Sequence, residues 1–93
     1  MLAYFVKGSI LFEKSDYRLA AELTQKSAMG YKDFFGLKHP RVYKSYVLLG
    51  DCYNKLGMKE EMIDAYVTAE DIAKIVFGPN SIEVTEIRKK LSV

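Results

Sequence analysis

The chain nearly repeats itself at a spacing of 42 residues. Phe35-Gly36 returns as Phe77-Gly78, Val42 as Val84, Tyr4 as Tyr46, Gly8 as Gly50, Lys32 as Lys74 and Leu49 as Leu91. The clustering says more than the number of matches. A Phe-Gly pair with a valine six residues beyond the glycine occurs twice in register. A fixed period of about 20–50 residues marks stacked repeats, in which each unit supplies one supersecondary element and one strip of a shared core. Arrays of this kind usually bind other proteins and rarely catalyse.

Composition narrows the reading further. Ninety-three residues make one domain, near the lower size for a self-sufficient core. A hydrophobic fraction of 49% is too high for disorder. The net charge of +2 is spread along the chain, with Arg88-Lys89-Lys90 its one short basic cluster. Charge therefore does not argue for nucleic acid. No apolar run approaches the ~20 residues of a membrane span, and the start lacks the pattern of a secretory signal. Cys52 is the single cysteine, which suits a reducing compartment and an intracellular, cytoplasmic or nuclear setting. Met1-Leu2-Ala3-Tyr4-Phe5 reads as a helix already under way, so the expectation is a piece of a longer protein.

Breakers divide the chain into helical segments at about 2–14, 16–35, 40–56, 59–77 and 80–91. Ser15-Asp16 can cap a new helix. Gly36 can end one helix and Pro40 open the next. Gly57 suits a left-handed residue past a helix end, and Asn80 with Glu83 has capping-box spacing. Val42, Tyr46, Leu49 and Tyr53 form a helical stripe, and so do Met62, Ala65, Tyr66, Ala69, Ile72, Ala73, Val76 and Phe77. Tyr46, Leu49, Tyr53 and Tyr66 should be largely buried. No segment alternates at period two, so the expected class is all-α. Short connections make successive helices antiparallel neighbours. The expected organisation is one repeat over 1–39, a second over 40–79 and a capping helix over 80–93. Ile82, Val84, Ile87 and Leu91 should pack the last helix on the fourth.

The third segment reads Tyr46-x-x-Leu49-Gly50-x-x-Tyr53, which resembles the tetratricopeptide pattern with Tyr in place of Trp. In that pattern the glycine lets the partner helix approach, and Ala65 and Ala69 stand where small residues receive the aromatics. Tyr66 stands where Phe is expected. The first unit keeps Tyr4, Gly8, Leu11, Tyr17 and Ala20 but has Lys7 for Leu and Thr24 for an aromatic. The long period and the Phe35-Gly36-x-x-His39-Pro40 junction resemble the long tetratricopeptide class of kinesin light chains. The C-terminal run Val84 to Leu91 is similar to the end of SET–MYND lysine methyltransferases, which end in a tetratricopeptide-like helical domain. This resemblance implies, as the alternative function, a non-catalytic C-terminal appendage of such an enzyme.

Candidate chemistry is sparse. Cys52 lies among Leu49 and Leu56 and reads as a small buried hydrophobe. His39 has no second His or Cys nearby and belongs with the Pro40 helix start. Asp16, Glu22 and Asp33 read as solvated face or caps, and Glu60, Glu61 and Asp64 as dipole-favoured first-turn acids. With no phosphate loop, nucleophile–base set or metal spacing, the expectation is a non-enzyme with no cofactor and no metal.

The site expectation comes from the tetratricopeptide resemblance. It implies a concave groove lined by the first helix of each pair. On the third helix the residues are Lys44, Val47, Asp51, Asn54 and Lys55, and on the first Leu2, Phe5, Ser9, Phe12 and Glu13. The carboxylate-clamp class carries Lys and Asn at the Phe5 and Ser9 positions, and this chain has neither. The implied groove is mixed, apolar at Leu2, Phe5 and Phe12 and polar at Lys44, Asp51 and Asn54. Its expected partner is a protein or peptide, in extended or helical form. Two further outcomes are coverage of these apolar residues by another part of the parent protein and self-association, with no nucleic acid and no membrane.

Overall fold

The computed structural model describes residues 2–92, and the side chain of Leu2 lies outside the described residues. Among the described residues five helices follow one another: α1 Leu2–Glu13, α2 Tyr17–Phe35, α3 Pro40–Leu56, α4 Lys59–Val76 and α5 Ile82–Leu91. No strand occurs among the described residues. Each helix packs on its neighbours in sequence, and α1 also meets α3. The result is an all-α stack of helix pairs.

The helix ends repeat as the sequence does. After α3, Gly57 sits at φ 75°, its N–H donating to Asn54 O at 3.2 Å while Met58 N–H donates to Tyr53 O at 2.9 Å. After α1, Ser15 sits at φ 65°, its N–H donating to Phe12 O at 3.0 Å while Asp16 N–H donates to Leu11 O at 2.9 Å. Both ends are Schellman turns, which satisfy the last carbonyls through a left-handed residue. This corrects the expected cap at Ser15-Asp16. Ser15 closes α1, and Asp16 makes no side-chain cap bond to α2. Backbone geometry explains the change, because the turn needs a left-handed residue one repeat before Gly57 whatever residue stands there.

Two other starts follow local chemistry. His39 Nδ1 accepts from Arg41 N–H at 3.1 Å, with Pro40 in the first turn of α3. Its ring stacks on Phe35 at 3.9 Å, which ties the α2 end to the α3 start. At α5 the expected Asn80–Glu83 box gives way to Ser81, whose Oγ accepts from Val84 N–H at 3.3 Å. The helix therefore begins at Ile82.

Two contacts set the pair spacing. A Cβ on Gly50 would stand 2.5 Å from Tyr66 Cδ1, and one on Gly8 would stand 2.5 Å from Thr24 Oγ1. Thr24 and Tyr66 are themselves one repeat apart, so the same helix–helix approach recurs around different side chains. One core cluster joins Tyr31, Val42, Tyr43, Met62, Tyr66, Ile72, Val84 and Ile87; a second joins Ala20, Ala21, Leu49, Cys52 and Ala65. Leu49 and Tyr66 are buried as expected, while Tyr46 and Tyr53, expected to be largely buried as well, are half-buried. Val84 and Ile87 anchor α5, and Leu91 packs beside them. Ile82 is 73% exposed, against expectation. It opens the helix on the side away from Val84 and Ile87, where no neighbour reaches it.

Candidate functional site

The face formed by α1 and α3 carries two hollows. The larger, about 320 Å³, is lined by Phe12 from α1, Asp51, Asn54 and Lys55 from α3, Met62 and Tyr66 from α4, and Lys90 from α5. The smaller, about 130 Å³, is lined by Phe5, Tyr31, Arg41 and Lys44. Phe5 and Phe12 are two helical turns apart on one face of α1, about 10 Å along the axis.

Asp51 is the electrostatic centre of the larger hollow. Tyr66 donates its hydroxyl to Asp51 Oδ1, and Lys90 Nζ lies 2.9 Å from the same oxygen. Lys90 Nζ also stands 5.7 Å from the Tyr66 ring centroid, a cation–π distance. Burial, reinforced by the bond to Asp51 and its charge, holds the Tyr66 hydroxyl protonated well above the ordinary phenol value. The carboxylate thereby ties α3, α4 and α5 together. Arg41, Lys44 and Lys55 form no ion pair among the described residues and face solvent. The face is aromatic at its floor and basic at its edges.

The residues expected from sequence divide as follows. Phe12, Asp51, Asn54 and Lys55 come together in the larger hollow, and Phe5 and Lys44 in the smaller. Ser9 donates its hydroxyl to Phe5 O at 3.0 Å, within its own helix. Val47 and Phe5 are half-buried against the first core cluster and Phe12 against the second. Leu2 falls outside the described side chains. Sequence reasoning missed Arg41, Met62, Tyr66 and Lys90. Arg41 follows directly on the His39-Pro40 helix start, which was the available signal for it. No local pattern points Lys90 at Asp51, 39 residues away.

Cys52 is fully buried, and burial followed by the Asp51 charge pushes its thiol up to about 11. A thiol held protonated is no nucleophile at neutral pH. Among the described residues no three His, Cys, Asp or Glu side chains cluster to hold a metal ion, and no helix is long and apolar enough to cross a membrane.

Residues 43–75, which cover most of α3 and α4, match the family model of the tetratricopeptide repeat. The clustered mitochondria protein homolog of Kluyveromyces lactis is 30% identical over 73 residues, which is 78% of this chain and 6% of that protein. The chain thus spans a small fraction of the curated relative it matches. No solved structure matches.

Proposed function

We propose that the chain is a non-catalytic tetratricopeptide-type interaction module of the long-repeat, kinesin-light-chain-like class, and that its α1–α3 face holds a segment of another polypeptide. The observation that carries this reading is the pairing of an aromatic floor with cations that form no ion pair among the described residues, in both hollows: Phe5 with Arg41 and Lys44, and Phe12 with Lys55. Among the described residues a single carboxylate, that of Asp51, lines them, and it is already bonded to Tyr66 and Lys90. The complementary segment carries apolar side chains for the floors and carboxylates for the edges. A separation of about 10 Å suits two turns of a helix or one three-residue turn of an extended polyproline-type strand. Helix-lined grooves bind peptides in this way, with apolar anchors supplying burial and polar contacts setting register. This reading places the module inside the cell, where one buried thiol needs no oxidative partner.

A displayed library of random peptides, selected on the intact chain, tests the assignment. Selected peptides should be enriched in acidic and apolar residues and should shift the amide resonances of Phe5, Val47 and Asn54. Lys44→Glu with Lys55→Glu should weaken their binding at least tenfold and leave helical content unchanged. These exposed lysines are better test positions than Phe5 and Phe12, which also pack on the core. Selected peptides that bind the double variant equally well, or shift residues only on other faces, would overturn the groove assignment.

A further inference from the structure

The outer side of the α1–α2 pair carries an apolar hollow of about 460 Å³, lined by Tyr4, Lys7, Ile10, Leu11, Leu19 and Leu23. Tyr4, Ile10 and Leu19 are 43%, 48% and 41% exposed. Four of these positions, moved on by one repeat, are Tyr46, Leu49, Cys52 and Ala65. In the second unit those four pack against Ala20 and Ala21 of α2. The first-unit hollow is therefore the counterpart of a surface that receives a helix.

Its charge is distinctive. Lys7 stands where the second unit has the buried Leu49, and Lys26 stands 5.8 Å from the Tyr4 ring centroid. The helix that fills this hollow needs aliphatic side chains with carboxylates beside them. Among the described helices, α4 presents that face. Ile63, Val67 and Ile75 are 38%, 41% and 57% exposed, and Glu60, Asp64 and Asp71 are exposed with them. At helical spacing all six fall within an arc of about 120°, where the three acids outnumber the half-buried Lys74. The exposed faces of α3 and α5 are rich in basic residues, which the Lys7–Lys26 hollow disfavours.

We propose that the exposed α4 face of a second copy of this chain docks in the α1–α2 hollow, its carboxylates meeting Lys7 and Lys26. Two different surfaces meet, so each added copy leaves one of each free and growth passes the dimer, into a ring or an open chain. The contact is independent of the peptide groove, which lies on another face.

Light scattering coupled to gel filtration tests this on the intact chain. The average mass should rise above the 10.6 kDa monomer with concentration, without levelling at a dimer, and should fall with added salt. Lys7→Glu with Lys26→Glu should hold the chain at monomer mass, and so should Asp64→Lys with Asp71→Lys. An equimolar mixture of the two variants should associate again, because each then meets opposite charge on the other. Circular dichroism of each variant confirms the fold. A wild-type chain that stays monomeric at every concentration, a variant that associates like the wild type, or a mixture that fails to associate overturns the proposal.

Discussion

Gly50→Ala should destabilise this protein, although alanine is the better residue in a helix interior by about 1 kcal/mol. The added Cβ would stand 2.5 Å from Tyr66 Cδ1 and 3.0 Å from Cζ. The ring is 2% exposed, and its hydroxyl is bonded to Asp51, so it has little room to turn away. Forcing a carbon into a packed contact costs about 1–3 kcal/mol. Losing the bond to a charged acceptor adds about 1.5–3 kcal/mol if the ring is displaced. After the propensity gain is subtracted, the net loss is about 1.5–5 kcal/mol. Urea denaturation followed by circular dichroism measures it as a lower midpoint at unchanged slope. The sign is the sharper test. In a Tyr66→Leu background the obstructing ring is gone, and Gly50→Ala should cost little or stabilise by up to about 1 kcal/mol. A wild-type background that tolerates Gly50→Ala, or an equal loss in both backgrounds, would refute the close-approach explanation.

Three further outcomes follow from the structure. Ser15→Gly should raise stability by about 1 kcal/mol, because the left-handed conformation that strains serine is open to glycine; a lowered melting temperature would contradict the Schellman assignment. Ile87→Ala, at a fully buried position, should cost about 2–5 kcal/mol, whereas Ile82→Ser should stay within about 0.5 kcal/mol; comparable losses would show that α5 packs by a different face. Burial and then the Asp51 charge lift the Cys52 thiol from 9.0 to about 11, and burial with the Asp51 bond lifts Tyr66 above 10.0. The unfolded chain ionises at the lower values and the folded one does not, so the Cys52 contribution is complete below about pH 9 and is lost as pH rises to about 11, while the Tyr66 contribution is complete below about pH 10 and is lost progressively above it. Denaturation midpoints should fall as pH rises through these values, less steeply in Cys52→Ala, and a flat profile in both chains would contradict it.

The helices and their pairing were legible in the sequence because their causes are local. Pro40 after His39, Gly57 after Leu56 and the three- to four-residue stripes act over one or two turns, and the same chemistry returns one repeat later. Gly8 and Gly50 announced close approaches for the same reason: a residue without Cβ in a helix needs a neighbour to justify it. Four of the expected groove residues meet in one hollow because Asp51, Asn54 and Lys55, three and four apart on α3, share a face, and α1 brings Phe12 beside it. The tertiary structure alone decided what those side chains do. Asp51 looked like an open polar contact, and the fold brings Tyr66 and Lys90 onto one of its oxygens from two other helices. Ser15 became the end of α1 because the turn into α2 needs a left-handed residue at that point, which serine's preferences do not predict. Ile82 stays exposed because α5 has only ten residues and turns Val84 and Ile87 inward. Local propensity sets where a helix lies, but burial and ion pairing depend on which neighbour arrives, and that is settled by packing between residues far apart in the chain.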